Sequence, residues 1–142
     1  VDRQPALLGA LVRLRPLGRD DREALYTVAS DPLAVEDAVT GALVGSSRFQ
    51  NHDDAEGGSV EIGWTFLARS HWRSGANREM KRLMLDHAFA SVARVYFTVG
   101  ETNLRSRHAV EGIGARWTGA IEERSTAGRI TRHMRYVIER RA

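Results

Sequence analysis

Between Ser59 and Phe89 the chain changes its hydrophobic period once, and that change constrains the fold more than any other feature. Ser59-Val60-Glu61-Ile62-Gly63-Trp64-Thr65-Phe66-Leu67 alternates, with Val60, Ile62, Trp64 and Phe66 on one face, as a half-buried strand does. Met80, Leu83, Met84, Leu85, His87, Ala88 and Phe89 then follow helical spacing. The join, from Ala68 to Arg78, is small, polar and basic, and enters the helix near Gly75-Ala76-Asn77, with Glu79 early, where an acid favours the helix dipole. The first amide groups of such a helix lack partners and can form an anion site, which a glycine lets phosphate oxygens approach; a plain helix-start loop is the alternative reading.

The flanking segments complete an α+β pattern. Leu11 to Arg15 alternates apolar and basic residues and stops at Pro16, which predicts a strand. Asp20 or Asp21 caps a segment where Ala24, Leu25, Val28 and Ala29 recur at helical spacing until Asp31-Pro32. Thr40-Gly41 separates a short stretch, 34–39, from a strand over 42–49, and the loose turn 53–58 leads into the strand from Ser59, so the middle of the chain reads as an antiparallel meander. Val95-Tyr96-Phe97-Thr98-Val99 is nearly all apolar and predicts a strand buried on both faces. Asn103 can cap a helix that turns Ala109, Val110 and Ile113 inward and ends at Gly114. Two last strands, 115–123 and 129–138, flank the turn Ser125 to Gly128. The 142 residues make one domain with a mixed sheet.

Composition narrows the chemistry. The chain has no cysteine, so thiol nucleophiles, disulfides and thiolate metal sites are excluded. His52, His87, His108 and His133 share no metal-ligand spacing, and no metal site is expected. No run approaches the roughly 18 apolar residues of a membrane span, and the start has no basic-then-apolar leader, so a cytoplasmic protein is expected. Twenty arginines accompany one lysine, Lys81, at a net charge of +3. That excess hints at a phosphate-bearing partner, although Asp20-Asp21, Asp53-Asp54 and Glu122-Glu123 interrupt it and make a nucleic-acid binder the weaker reading.

Val60-Glu61-Ile62-Gly63-Trp64, then Trp72 to Glu79, Asn103-Leu104-Arg105-Ser106-Arg107 and Glu111-Gly112-Ile113-Gly114-Ala115 together resemble the GNAT superfamily of acetyl-CoA-dependent N-acetyltransferases, in the branch that includes the enzymes acetylating ribosomal-protein N-termini. The resemblance begins at Val12 and implies a mostly antiparallel central sheet, flanked by helices and splayed where acetyl-CoA binds. The superfamily's pyrophosphate loop, Gln/Arg-x-x-Gly-x-Gly/Ala, falls on Trp72, Arg73, Ser74, Gly75, Ala76 and Asn77; Gly75 fits, whereas Trp72 and Asn77 depart from it. By this likeness the amides of residues 73 to 78, Arg78 included, hold the pyrophosphate. Phe66 and Leu67 offer backbone groups to the pantetheine arm, and Asn103 and Ser106 lie beside it. The branch normally carries a second helix and a strand near 33–40, so that region looks shortened or incompletely represented.

The implied reaction is direct attack of a primary amine, a protein N-terminus or a small amine, on the thioester. It needs a neutral amine, a stabilised oxyanion and a proton for the departing thiolate. Glu61 stands where several relatives carry a base, and it faces away from Val60 and Ile62; an ordinary surface glutamate is the plain alternative. The tyrosine that many relatives use as acid, seven residues after the asparagine, is Val110 here, which leaves Ser106 as the nearest hydroxyl, or as part of the helix cap. His71 can touch phosphate or stand in solvent, and Trp64 and Trp117 read as core. A CoA-binding sensor without turnover is the alternative function, and the resemblance allows a homodimer.

Overall fold

The alternation of Val12 with Leu14 and of Leu33 with Val35 buries these four side chains on one face of paired strands, and the sheet grows from there. The computed structural model describes residues 2, 5–16 and 32–141, apart from the side chains of Trp64 and Thr126. The helix expected over 20–31 lies outside the described residues. Among the described residues eight strands form one sheet: β1 (Leu7–Leu8), β2 (Val12–Pro16), β3 (Leu33–Asp37), β4 (Leu43–Asp53), β5 (Ser59–Leu67), β6 (Arg94–Gly100), β7 (Arg116–Thr126) and β8 (Arg129–Glu139). Their order is β1-β2-β3-β4-β5-β6-β8-β7, antiparallel except for the β5–β6 pair. The helices α1 (Ala76–Phe89) and α2 (Leu104–Gly112) cross over from β5 to β6 and from β6 to β7. Residues 33–40, expected to be a shortened region, are β3 and its turn, closed by Asp37 Oδ1 accepting from the Val39 and Thr40 amides. Among the described residues no helix is long and apolar enough to cross a membrane.

Helix α1 follows a 14-residue amphipathic pattern and buries Ala76, Met80, Met84, Leu85 and Ala88 against Val60, Ile62, Val95 and Phe97. This stripe supplies the main core, since burying one such side chain contributes roughly 1.5–3 kcal/mol. Helix α2 is shorter and packs on β6, with Val110 buried. Asn103 caps it as expected, accepting the Ser106 amide at 3.2 Å.

Two expectations are corrected. First, β6 is buried on one face only: Val95, Phe97 and Val99 meet the helices, while Tyr96, Thr98 and Gly100 are partly open. Its run of β-forming residues hid an ordinary alternation. Second, Val60, Ile62 and Phe66 do not share a face. Arg48 pairs with Gly63 and Ser46 with Phe66, so one residue of β4 opposes two of β5. This β-bulge reverses the alternation: Thr65 and Leu67 join the Val60 face, and Phe66 turns out to 56% exposure. The Trp64 side chain, expected on the same face, lies outside the described residues. Trp117, expected in the core, is 46% exposed, and its indole donates to Ala120 O at 3.0 Å.

The bulge depends on Gly45, where an added Cβ would overlap the Phe66 carbonyl oxygen. Backbone on an adjacent strand cannot yield as a side-chain tip does. Gly45→Ala is expected to destabilise the chain by about 1–3 kcal/mol, read as a fall in the denaturant midpoint at unchanged slope; an unchanged midpoint would show that β5 relaxes freely.

Candidate active site

Strands β5 and β6 pair only from Ser59↔Arg94 to Glu61↔Tyr96, although both continue, to Leu67 and to Gly100. Past Glu61 the strands part, and the edge of β5 that faces β6 has no ladder partner. The result is a slot with unpaired backbone groups along one wall.

One end of the slot is the loop into α1. Its first turn, Arg69–His71, is tied to β3: His71 Nε2 lies 2.7 Å from Asp37 Oδ2, and Nδ1 lies 2.8 Å from Ser70 Oγ. These bonds, with the Thr40 and Val39 amides, hold the Asp37 carboxyl well below the usual carboxylate range. His71 is thus an anchor of the loop, with both ring nitrogens engaged. Ser74 Oγ donates to His71 O at 2.6 Å and accepts the Ala76 amide at 3.3 Å. Arg73 (φ 60) and Gly75 (φ 86) both adopt left-handed backbone, a cost that glycine avoids. The amides of Asn77 and Arg78 then have no acceptor within the helix.

Trp72 joins this loop to both β5 and α2. Its indole donates to Leu67 O at 2.8 Å, and its ring lies 3.6 Å beneath the Arg105 guanidinium, with Arg69 at 5.4 Å. Arg78 Nη2 donates to Gly112 O at 3.3 Å. Leu67, Trp72, the loop residues Arg73, Ser74, Gly75, Ala76, Asn77 and Arg78, and the α2 start with Asn103 and Ser106 are thereby linked into one end of the slot. Phe66 is on the other side of the sheet from α1.

On that other side lies an open groove of about 510 Å³, lined by Arg48, Gln50, Glu61, Thr98, Glu122 and His133, among others. Glu61 is 5% exposed and held: Gln50 Nε2 donates to Oε2 at 2.7 Å and Arg135 Nη1 to Oε1 at 3.2 Å. Arg135 itself stacks 4.1 Å from the Tyr96 ring. Gly63 lets Gln50 lie across β5, since a Cβ there would come 2.6 Å from Gln50 Nε2. Thr98 Oγ1 and His133 Nδ1 are buried in this groove with no hydrogen-bond partner among the described residues. The groove meets the slot where β5 and β6 part, at Glu61.

Sequence reasoning passed over Lys81. It is 6% exposed beneath the slot, and its Nζ donates to Thr65 Oγ1 at 2.7 Å. Burial lowers its pKa from 10.5 to about 7. The signal was available: Lys81, Leu85 and Ala88 follow i, i+4, i+7 on the buried stripe. Gln50 and Arg135 had no such signal, because only pairing across the sheet brings them to Glu61. Val110 is in the core, and the nearby Tyr136 hydroxyl donates to Glu111 Oε2 at 2.6 Å, with its pKa raised first by burial. Among the described residues no three His, Asp or Glu side chains gather as a metal site.

The fold and this slot define an acetyltransferase of the GNAT type. Residues 33–116, more than half of the chain, match the acetyltransferase (GNAT) domain family, and the chain belongs to it. No curated protein sequence matches significantly. Among solved structures, a GCN5-related N-acetyltransferase from Brucella melitensis is similar at a TM-score of 0.80 and 21% identity, over 96% of this chain and 79% of that one. The spermidine N-acetyltransferase of Vibrio cholerae, solved with CoA and spermine, is similar at 0.75 and 20%, over 92% and 96%. A proposed ribosomal-protein-serine acetyltransferase from Vibrio cholerae is similar at 0.78 and 14%, over 96% and 98%.

The Asp37–His71 bond carries its own pH signature. A carboxyl held below its ordinary 3.8 contributes stability above that value and loses it as pH falls toward the folded one. Asp37→Asn should therefore be less stable than the parent in denaturant titrations above about pH 5. The gap should close as pH drops below 3.8, and a gap independent of pH would contradict the assignment.

Proposed function

We propose that the protein is an acetyl-CoA-dependent N-acetyltransferase in which an amine enters by the groove and attacks the thioester where the slot meets Glu61. The observation that carries this reading is the continuity from the amides at the start of α1, along the unpaired edge of β5, to the buried carboxylate of Glu61. The residues fit the cofactor: Gly75 leaves the helix end open, and Asn77 and Arg78 present unsatisfied amides for a pyrophosphate. The unpaired backbone of β5 near Phe66 and Leu67 suits the amides of a pantetheine arm, with Asn103 and Ser106 on the facing side. When bound, acetyl-CoA supplies the thioester carbonyl.

Glu61 is the group that takes the proton from the acceptor nitrogen, directly or through one water. Gln50 and Arg135 fix its orientation while leaving lone pairs toward the groove. The acceptor class follows from charge. Arg48 and Arg124 balance Glu61 and Glu122 in the lining, and Glu122 is paired with Arg124 at 3.2 Å. Such a groove has no net negative field for a polycation, so the favoured acceptor is a singly charged amine such as a peptide N-terminus rather than a polyamine.

Release of free CoA thiol with an acceptor panel tests this. Short peptides and monoamines are expected to turn over and spermidine to be poor; preference for spermidine would overturn the acceptor class. Binding without turnover on any acceptor would favour a sensor. Gly75→Glu should abolish acetyl-CoA binding in calorimetry while the circular dichroism spectrum persists. Glu61→Gln should lower kcat by about 10²-fold and change its pH profile, and an unaltered profile would remove Glu61 from proton transfer.

A further inference from the structure

A departing thiolate needs a proton, and the position where many relatives carry a tyrosine is the buried Val110. The parted strands contain another donor. Lys81 Nζ is 2.7 Å from Thr65 Oγ1 on β5 and 5.5 Å from the centre of the Phe97 ring on β6. Both residues lie past the last paired position, Glu61↔Tyr96, so the ammonium bridges the gap that forms the slot. Lys81 is buried whereas Thr65 is exposed, which makes the Thr65 hydroxyl the point where this group reaches the slot.

The neighbours leave that hydroxyl free to act. Ser47 Oγ lies 2.9 Å from Thr65 Oγ1. Either hydroxyl can donate in that contact; in the orientation where Ser47 donates, as Lys81 does, the proton of Thr65 is left to point outward. From β4 the group facing Lys81 is Ser47, through Thr65, and from β6 it is the Phe97 ring. On its own helix, Glu79 is occupied by the Leu11 and Val12 amides. Glu61 is on the other face of the sheet, held by Gln50 and Arg135. No described carboxylate pairs with Lys81.

We propose that Lys81, acting through the Thr65 hydroxyl, supplies the proton taken up by the departing thiolate, a role that rests on the acetyltransferase reading of the slot. The acceptor nitrogen forms a bond to the thioester carbon, and the carbon–sulfur bond breaks with its electron pair on sulfur. Thr65 gives its proton to sulfur and takes one from Lys81, leaving a neutral amine. The proton lost by the acceptor nitrogen leaves through Glu61, and solvent restores the ammonium, so the exchange balances. Acidity agrees: an ammonium titrating at about 7 protonates a thiolate of ordinary pKa, about 8.5, downhill, whereas one at 10.5 does not.

Because Lys81 is the sole lysine, labelling the full chain with 13Cε- and 15Nζ-lysine gives one side-chain signal to titrate. It is expected to titrate far below the ordinary lysine value and to shift when CoA is added; an ordinary value in both states would overturn the proposal. In thiol-release kinetics Lys81→Met and Thr65→Val should each lower kcat by about 10²-fold, with little change in KM for acetyl-CoA. They should also remove the fall of kcat at alkaline pH, and Thr65→Ser should restore it. Lys81→Arg should not rescue, because a guanidinium does not give up its proton. Full activity of Lys81→Arg, or a parental pH profile in Thr65→Val, would reduce Lys81 to a structural prop. Should Lys81→Met fail to fold, the titration and Thr65→Val decide. Failure of the parent chain to bind acetyl-CoA would sink the acetyltransferase reading and the relay with it. Binding and turnover with unaffected variants would sink the relay alone.

Discussion

The parting of β5 from β6 after three paired residues is the constraint on which the rest of this molecule depends. A parallel pair requires a crossover, and α1 provides it, so the same connection that builds the sheet brings a helix N-terminus to the mouth of the gap. What drives the strands apart is local. The bulge at Trp64–Thr65 bends β5 away from its partner and toward β4, where Gly45 admits the Phe66 carbonyl. A slot made this way is lined by unsatisfied backbone, which favours an amide-bearing ligand over an apolar one.

The gap also accounts for the least economical feature of the core. An ammonium without a counter-ion is costly to bury, and among the described residues Lys81 has a hydroxyl and the face of Phe97 to offset that cost. A helix stripe of Met80, Met84, Leu85 and Ala88 selected for packing alone would take another apolar residue there. The cation sits where the strands have separated, beneath the one place where it meets a hydroxyl open to the slot.

How much of this was legible follows from which signals are local. The extent of β5, the period of α1, the Asn103 cap and the glycine before the helix are written in contiguous residues, and each appears where the pattern placed it. The bulge was not legible, because it leaves composition unchanged while exchanging which neighbours are inside. Phe66 read as core and is exposed, while Thr65 moves to the face that carries Lys81. The open face of β6 was hidden by Tyr96 and Thr98, which suit a strand whether or not a layer covers them. Gln50 and Arg135 belong to the site only through pairing across the sheet. Asp37 became the anchor of His71 only because β3 ends beside the loop.

The arginine excess gains a physical meaning from the same geometry. Arg105 and Arg69 lie against Trp72, Arg135 lies on Tyr96 while reaching Glu61, and Arg78 spans from α1 to Gly112 O. These contacts use the planar fork and flat face of a guanidinium, which an ammonium lacks, and a guanidinium keeps its charge at any ordinary pH. Arginine therefore serves where a cation must hold the loop, the second helix and the carboxylate in fixed relation. The one cation under the slot whose charge burial can switch off near neutral pH is a lysine, and the chain spends its single lysine there.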